Sequence, residues 1–412
     1  MDQPGRTSHL PIIITLGMLI GLNPFSIDMY LPGFASIAAD LDTDTAIVGL
    51  TLSSFFAGIC IGQVVYGPLL DRFGRKRPLL IGLGIYFLAS VAAAFAGSIE
   101  QLIVLRFIQA LGGCAGMVAS RAYVRDLFPP EENARIFSLL ILVMGVAPVI
   151  APSVGSLIVT TLDWHAIFVA LALIAASIFV AVSLVLPEST EPDVRISLNP
   201  LKVVREYFGV ALNARFMLFT LATSFSTAAL FSYITSSPIL FMKVHGLSES
   251  QFGLTFSFCA FCLIAGSQVN RFLLRRFSAD RLAELTGLAI LVVSAALFAL
   301  TVSSVAGFVV TIACIASFLF LLGMFNPNTG ALALTSVHEK IGMASALMGF
   351  IQMGLSALAA AIVSSLSGVS STAMTTMMFA CMGVSVACVF GVRLLGETAP
   401  ESATSDMIHT TI

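Results

Sequence analysis

Between Leu10 and Leu395 the chain turns apolar again and again, each time for about the length a helix needs to cross a bilayer. Spans are expected over about Leu10 to Pro32, Ala46 to Leu69, Leu79 to Gly97, Gln101 to Val124, Ala134 to Thr160 and Ala166 to Leu186. The second half repeats them over about Phe216 to Phe241, Gln251 to Leu273, Leu285 to Val302, Ala306 to Leu334, Gly342 to Leu366 and Thr372 to Leu395. A water-soluble protein could not hide such runs. Hydrophobic residues make up 58% of the chain and charged residues only 10%, against roughly 25% charged in an ordinary soluble domain. Short alternating segments of the membrane β-barrel kind are absent. The chain therefore reads as an all-α integral membrane protein with 12 transmembrane helices in two six-helix bundles around a central cavity.

Orientation follows from the turn Gly67-Pro68-Leu69-Leu70-Asp71-Arg72-Phe73-Gly74-Arg75-Lys76-Arg77-Pro78 between the second and third spans. Its four cations place it on the cytoplasmic side by the positive-inside rule, and the other loops alternate from there. Of the 20 Lys and Arg residues, Lys243 alone falls on the outer side and Arg106 lies within a span. Both termini are thus expected in the cytoplasm. The first apolar run is too long for a signal peptide and reads as a retained span. Trp164 is expected at the outer membrane boundary.

The longest polar stretch, 187–215, reads as a cytoplasmic linker with a surface helix over Pro200 to Phe208. It divides an N-terminal bundle (1–186) from a C-terminal bundle (216–396), and a polar tail (397–412) follows. Six spans, a linker and six spans is the plan of a secondary transporter built from repeats around a midplane site. The seven cysteines all lie in apolar runs and read as small apolar groups, with neither a disulfide framework nor a metal site expected. The net charge of −2 gives no reason to expect nucleic acid.

Few residues in the spans can carry chemistry. Asp28 sits within the first span after Asn23 and Pro24. A carboxylate in hydrocarbon normally faces a cavity or a partner, and this one is the candidate proton carrier. The alternative places it at the outer interface, capping a helix break at Pro32. Arg106, in the fourth span with Gln109 and Gly112, is always charged. It is expected to tune a facing carboxylate or to hold backbone and Gln groups, unless it snorkels to the headgroups. Gly112, Gly113 and Gly116 on the same span permit close helix contact. In the fifth span, Gly145, Pro148, Pro152 and Gly155 mark a bend. Asp71, next to Gly67, Arg72, Gly74 and Arg75, is expected to pair with Arg121 or Arg125 as a gate at the inner side. No ionisable group falls deep in the last six spans. Asn23, Tyr30, Gln109, Phe231, Tyr233, Phe256, Phe258, Met324, Asn326 and Gln352 are the candidate cavity walls.

These motifs together resemble a known family. The run from Gly62 through Gly67, Asp71, Arg72, Gly74 and Arg75 to Pro78 is similar to the loop signature of the major facilitator superfamily. Arg106, Gln109 and Gly112 resemble its fourth-helix motif, and the Pro/Gly run of the fifth span resembles its antiporter motif. Asp28-Met29-Tyr30-Leu31-Pro32 narrows the resemblance to the Bcr/CflA subfamily of drug:proton antiporters. The resemblance implies the major facilitator fold, with proton coupling at Asp28 and a coupling role for Arg106. It also implies a conformational lock around Gly67, Asp71 and Arg75. Two departures stand out: Ala147-Pro148 and Ala151-Pro152 replace the usual Gly-Pro pairs, and no second carboxylate occurs around Leu19 to Gly21. The latter favours neutral or zwitterionic substrates over cationic ones.

The expected activity is proton-coupled efflux of small, largely apolar drugs across a bacterial inner membrane by alternating access. Protons are the coupling ion, no cofactor is expected, and a monomer suffices. No GxxxxGK phosphate loop is present, which argues against an ATP-driven pump. The alternatives are a carrier of a polar metabolite, such as an amino acid or sugar derivative, and a non-transporting receptor or scaffold.

Overall fold

A computed structural model describes residues 9–190, 200–303, 307–337, 341–366 and 372–397. Among these, 12 helical segments are long and apolar enough to cross a membrane. The first is composite: α1 (Leu10–Asp28), a 3-10 turn (Leu31–Gly33) and α2 (Phe34–Asp40). Next come α3 (Thr45–Phe73), α4 (Lys76–Ala93), α5 (Ile99–Leu127), α6 (Pro130–Thr161) and α7 (His165–Val185). A shorter helix, α8 (Pro200–Ala211), stands where the surface helix was expected. The remaining spans are α9 (Ala214–Pro238, continued by a π-helical turn over Ile239–Val244), α10 (Glu249–Leu273), α11 (Ala279–Val302), α12 (Phe308–Thr335), α13 (Ile341–Leu366) and α14 (Thr372–Glu397). Arg6, Arg195 and Lys340 lie outside the described residues, as does the tail beyond 397.

Two differences from the sequence expectation matter for the site. The first span does not stop at Pro32. A prolyl ring is tolerated at the start of a new helical turn, where no amide donor is needed, so the chain continues to Asp40. Asp28 therefore lies about 18 Å of helix rise short of that end, rather than at the boundary. Trp164 is the second. It stands between two spans, as expected for the boundary, but it is buried there, and its indole N–H donates to Asp40 Oδ2 at 3.1 Å, so it also ties the end of α2 to α7.

The helix ends are cut where the sequence dictates. Gly74 closes α3 with φ +83°, a backbone conformation that side chains rarely adopt, and α4 begins two residues later. Pro129 and Pro130 separate α5 from α6, the second standing in the first turn of α6. Ser248 and Gln251 form a capping box at the start of α10.

Helices α1 and α3–α7 pack among themselves, as do α9–α14, and two seams join the sets: α3 against α13 and α6 against α10. Within a lipid solvent, burial of apolar surface does not drive helices together, so contacts rely on close packing. Small residues provide it. Gly82 and Gly112 let α4 and α5 meet backbone to backbone, Gly113 faces Asn23, and Gly116 faces Leu19. In the second set, a Cβ on Gly266 would collide with the Phe320 carbonyl and one on Gly323 with the Leu263 carbonyl. Large side chains such as Leu88, Leu184 and Val292 point outward instead, as a lipid-facing surface requires. Gly84 and Gly383 have open space where a Cβ would stand. Gly266→Leu is accordingly expected to lower the thermal unfolding midpoint in detergent, at a cost of ~1–3 kcal/mol or more, whereas Gly84→Ala should leave it unchanged or slightly raised.

Candidate functional site

A space of ≈ 220 Å³ lies where α1, α6, α9, α10 and α12 converge. Pro24 and Asp28 enter it from α1, Pro148 from α6, Phe231 and Tyr233 from α9, and Phe256 from α10. The walls are otherwise apolar. Asp28 is 3% exposed, and among the described residues its carboxylate has neither a hydrogen bond nor an ion pair. Tyr233 is 1% exposed, and its hydroxyl lies against the Cys259 thiol of α10. The Tyr233 ring stacks on Phe256, with centroids 5.8 Å apart and planes at 10°. Phe231 packs against Phe56 of α3 at 4.3 Å. A partnerless carboxylate in such a cavity is costly when ionised, so the position suits either a proton or a cationic ligand.

The fifth-span motif builds one wall. Pro148 lines the space, and Gly155 lets α6 press onto the Met29 carbonyl, where no Cβ would fit. On the facing side, Pro152 approaches Gly253, Ser153 Oγ meets Ser257 Oγ at 3.1 Å, and Ser257 Oγ donates to the Val149 carbonyl at 2.6 Å. Gly145 faces Ile264. The motif thus contacts α1 on one side and forms the α6–α10 seam on the other. Despite both prolines, α6 is assigned as one uninterrupted helix.

Arg106 is elsewhere. It is fully enclosed, which excludes snorkelling. Its guanidinium donates to the Ser26 carbonyl at 2.9 Å and to Gln109 Oε1 at 2.6 Å. Gln109 in turn donates to Ser90 Oγ at 2.8 Å. The guanidinium carbon stands 4.2 Å from the Phe55 ring centroid and 4.7 Å from that of Tyr30, a cation–π arrangement. No carboxylate pairs with it among the described residues. Of the two roles open to Arg106, the structure shows the holding of backbone and Gln groups, on α1 two residues before Asp28.

Several expected cavity walls are therefore displaced. Tyr30 packs on Arg106 and accepts from Thr51 Oγ1 at 3.1 Å. Gln109 belongs to the arginine cluster, and Asn23 donates to the Gly113 carbonyl at 3.4 Å. Asn326 accepts from Ser226 Oγ at 2.5 Å within the second helix set. Met324 lies below the reciprocal amide pair of Asn270 and Asn328, its carbonyl accepting from Asn328. Gln352 is not among the lining residues, and Phe258 is 52% exposed on the outer face. Polarity or aromaticity alone misplaced these residues. The lining residues Ile27, Met144 and Leu319 carry no signal that separates a cavity wall from a lipid-facing side chain.

At the end bearing the basic turns, the gate has a different wiring from the one expected. Asp71 pairs with Arg75, four residues on, and not with Arg121 or Arg125. Arg75 Nε also binds Asp126 Oδ2 of α5 at 2.9 Å. Asp126 further accepts from Thr190 Oγ1 at 2.9 Å and lies 3.6 Å from Arg125 Nε. The Glu188 carboxylate accepts from the backbone N–H groups of Arg75, at 2.5 Å, and Lys76, so it caps α4. Asp126 and Glu188 were missed: each reads as ordinary loop charge until the fold brings α5 and the end of α7 beside the turn. Arg121 instead reaches across to Ser345 Oγ of α13 at 3.5 Å. Arg72 stands over the Phe73 ring at 5.6 Å. A space of ≈ 450 Å³ opens here, lined by Gly67, Asp71, Arg75, Arg121 and Arg125, with Tyr207 of α8 opposite. A Cβ on Gly67 would meet nothing within 4 Å.

Comparison with known proteins settles the family. The profile described as Major Facilitator Superfamily matches residues 16–361. The chain belongs to the Major Facilitator Superfamily. A member named as a bicyclomycin resistance protein homolog of Haemophilus influenzae is 31% identical over 92% of this chain and 96% of its own. The MFS-type transporter YdgK of Bacillus subtilis is 32% identical over 90% of this chain and 92% of its own. Multidrug resistance protein MdtL of Shewanella oneidensis is 29% identical over 84% and 86%. The fold is shared with a crystal structure of the nucleoside transporter NupG, with a TM-score of 0.72 at 15% identity over 94% of this chain and 99% of that one. A D-xylose-proton symporter gives 0.72 at 18% identity over 92% and 96%. The expected superfamily and its transporter fold are thus established, in a membrane setting.

The arginine cluster makes a prediction of its own. Arg106→Lys keeps the charge but loses the planar fork that reaches Ser26 and Gln109 together. It is expected to cost about 1–3 kcal/mol through the donors and acceptors left unpaired, read as a lower unfolding midpoint in detergent.

Proposed function

We propose that this chain exports small, largely apolar organic compounds, drugs or antibiotics among them, from the bacterial cytoplasm in exchange for protons. The observation that carries the reading is Asp28: a carboxylate without a partner, in an otherwise apolar and aromatic space where the two helix sets meet. The names of two relatives, a bicyclomycin resistance protein homolog and a multidrug resistance protein, support the substrate class. The charge bias of the loops supports a cytoplasmic basic end and cytoplasmic termini in the inner membrane.

In this reading, residues 1–186 and 216–396 form two bundles that rock about the cavity. A proton taken up by Asp28 from the outer side neutralises the carboxylate and favours cargo release there. Its loss to the cytoplasm leaves a charged site that reloads. A membrane potential of ~100 mV contributes about 2.3 kcal/mol per elementary charge moved. Arg106 keeps α1 in register so that Asp28 stays in the cavity. The ion pairs of Arg75 with Asp71 and Asp126 hold the inner ends of α3, α4 and α5 as one body. Gly67, with open space beside it, allows α3 and α13 to approach when the inner side closes. Asp28 is the site at which proton and cargo exclude each other.

Detergent-purified protein, lightly buffered and mixed with a panel of neutral antibiotics, zwitterionic antibiotics and cationic dyes, is expected to release protons with at least one compound. Asp28→Asn should abolish that release while the unfolding midpoint stays near wild type. Release that survives the substitution would remove Asp28 from the coupling step.

A further inference from the structure

Helix α9 is crowded with hydroxyl side chains, and most of them bond back onto their own helix. Thr223 donates to the Phe219 carbonyl at 2.9 Å, Ser224 to Thr220 at 2.6 Å, Ser232 to Ala228 at 2.8 Å and Ser237 to Ile234 at 2.8 Å. Such back-bonds satisfy a hydroxyl locally. Thr235 and Ser236 do not make them. They are 2% and 4% exposed, and neither hydroxyl has a hydrogen-bond partner among the described residues. Ser364 on α13 is in the same condition at 6% exposure.

Thr235 and Ser364 meet at α3. A Cβ placed on Gly49 of α3 would stand 2.5 Å from Ser364 Oγ and 3.2 Å from Thr235 Cγ2. Gly49 lies near the start of α3, at the end of the molecule away from the basic turns. Helical spacing links the cluster to the cavity: Thr235 follows Phe231 by four residues and Ser236 follows Tyr233 by three, so each sits one turn above a cavity-lining residue. The Tyr233 hydroxyl, beside the Cys259 thiol, stands in the cavity with Asp28 at the lower end of this line. Thr220, also partnerless, lies about four turns away toward the basic end and outside this line. A buried hydroxyl without a partner costs about 1–3 kcal/mol. Three of them, Thr235, Ser236 and Ser364, between the cavity and the α3–α13 seam mark a stretch that is hydrated at some stage of the working cycle.

We propose that Tyr233, Thr235, Ser236 and Ser364 line the path by which Asp28 exchanges its proton with the solution at the end opposite the basic turns. The proposal rests on the reading of Asp28 as proton carrier and adds the route. In the packing seen, Gly49 lets α3 lie against the Ser364 hydroxyl and the Thr235 methyl and cover them. When the helix sets part at this end, α3 withdraws from α9 and α13, and water enters between them. A proton arriving as hydronium then passes along water and hydroxyl oxygens. Each hydroxyl accepts one hydrogen and gives up another, and the last O–H bond forms on a carboxylate oxygen of Asp28. The carboxylate is thus supplied by one bundle and its route to the solution by the other, so the route exists only in one arrangement of the two.

The test needs no cargo. Full-length protein in lipid nanodiscs is transferred to deuterium oxide, and infrared spectroscopy follows the carboxylic acid band that is lost in Asp28→Asn. In the triple variant Thr235→Val, Ser236→Ala, Ser364→Ala, hydrogen–deuterium exchange of that band is expected to slow by about tenfold, an added barrier of ~1.4 kcal/mol, with an unchanged titration midpoint. Restoring a hydroxyl with Thr235→Ser in place of Thr235→Val should recover part of the rate. If the triple variant fails to fold, Thr235→Val and Ser364→Ala singly carry the test, each expected to slow exchange. An unchanged exchange rate in folded variants overturns the route while leaving Asp28 as carrier. Absence of any Asp28-dependent band throughout the titration overturns the carrier and the route together.

Discussion

A guanidinium buried without a counter-carboxylate holds the first helix at the point where its chemistry begins. Arg106 donates to the backbone carbonyl of Ser26 rather than to Asp28, two residues further on. Enclosing a cation in this way is expensive. The Phe55 and Tyr30 faces, the Gln109 amide oxygen and the Ser26 carbonyl offset part of that cost. Had Arg106 paired with Asp28, both charges would be committed to each other. As it stands, Asp28 faces the cavity with no group holding it in one state.

The surroundings of Asp28 depend on how closely the helices approach. Gly155 lets α6 lie on the Met29 carbonyl, one residue past Asp28, and Pro148 then forms the cavity wall two turns away. Gly253 and Ser257 bring α10 against the other side of α6, which delivers Phe256 beside Tyr233. The cavity is thus what remains when two seams of small residues close around a few aromatic rings. Its apolar character follows from the same chemistry that makes these helices membrane-soluble. The basic end is built on another principle. There, ion pairs among Asp71, Arg75 and Asp126 join three helices, and the two carboxylates offset the cost of burying the Arg75 guanidinium.

Much of this was legible from residue order. Hydropathy located all the spans because bilayer thickness sets helix length. Asp28 and Arg106 stood out because charge in hydrocarbon is rare, and the glycines of α5 were correctly read as contact points. The errors share a cause. Pro32 looked like a helix end, yet a prolyl residue is also at home in the first turn of a new helix. Tyr30, Asn23 and Gln109 looked like cavity walls because polar or aromatic groups in a span suggest a site. They instead serve Arg106 and the close contact at Gly113. Asp126 and Glu188 escaped notice because they lie roughly 50 and 110 residues from the turn they brace.

The amino-acid order by itself determined the number and length of the spans, the basic and opposite ends, and the presence of one carboxylate and one guanidinium within the membrane. These are local or one-dimensional properties: apolar run length, loop charge, and the cost of an isolated ionisable group. Only the tertiary structure decided that the two charges do not meet, that Arg75 rather than Arg121 or Arg125 pairs with Asp71, and which apolar side chains face the cavity instead of lipid. The physical reason is that a lipid-facing leucine and a cavity-lining leucine satisfy the same solvent preference. What separates them is the rotation of each helix about its axis, and that is set by small residues and hydrogen bonds on neighbouring helices far away in the chain.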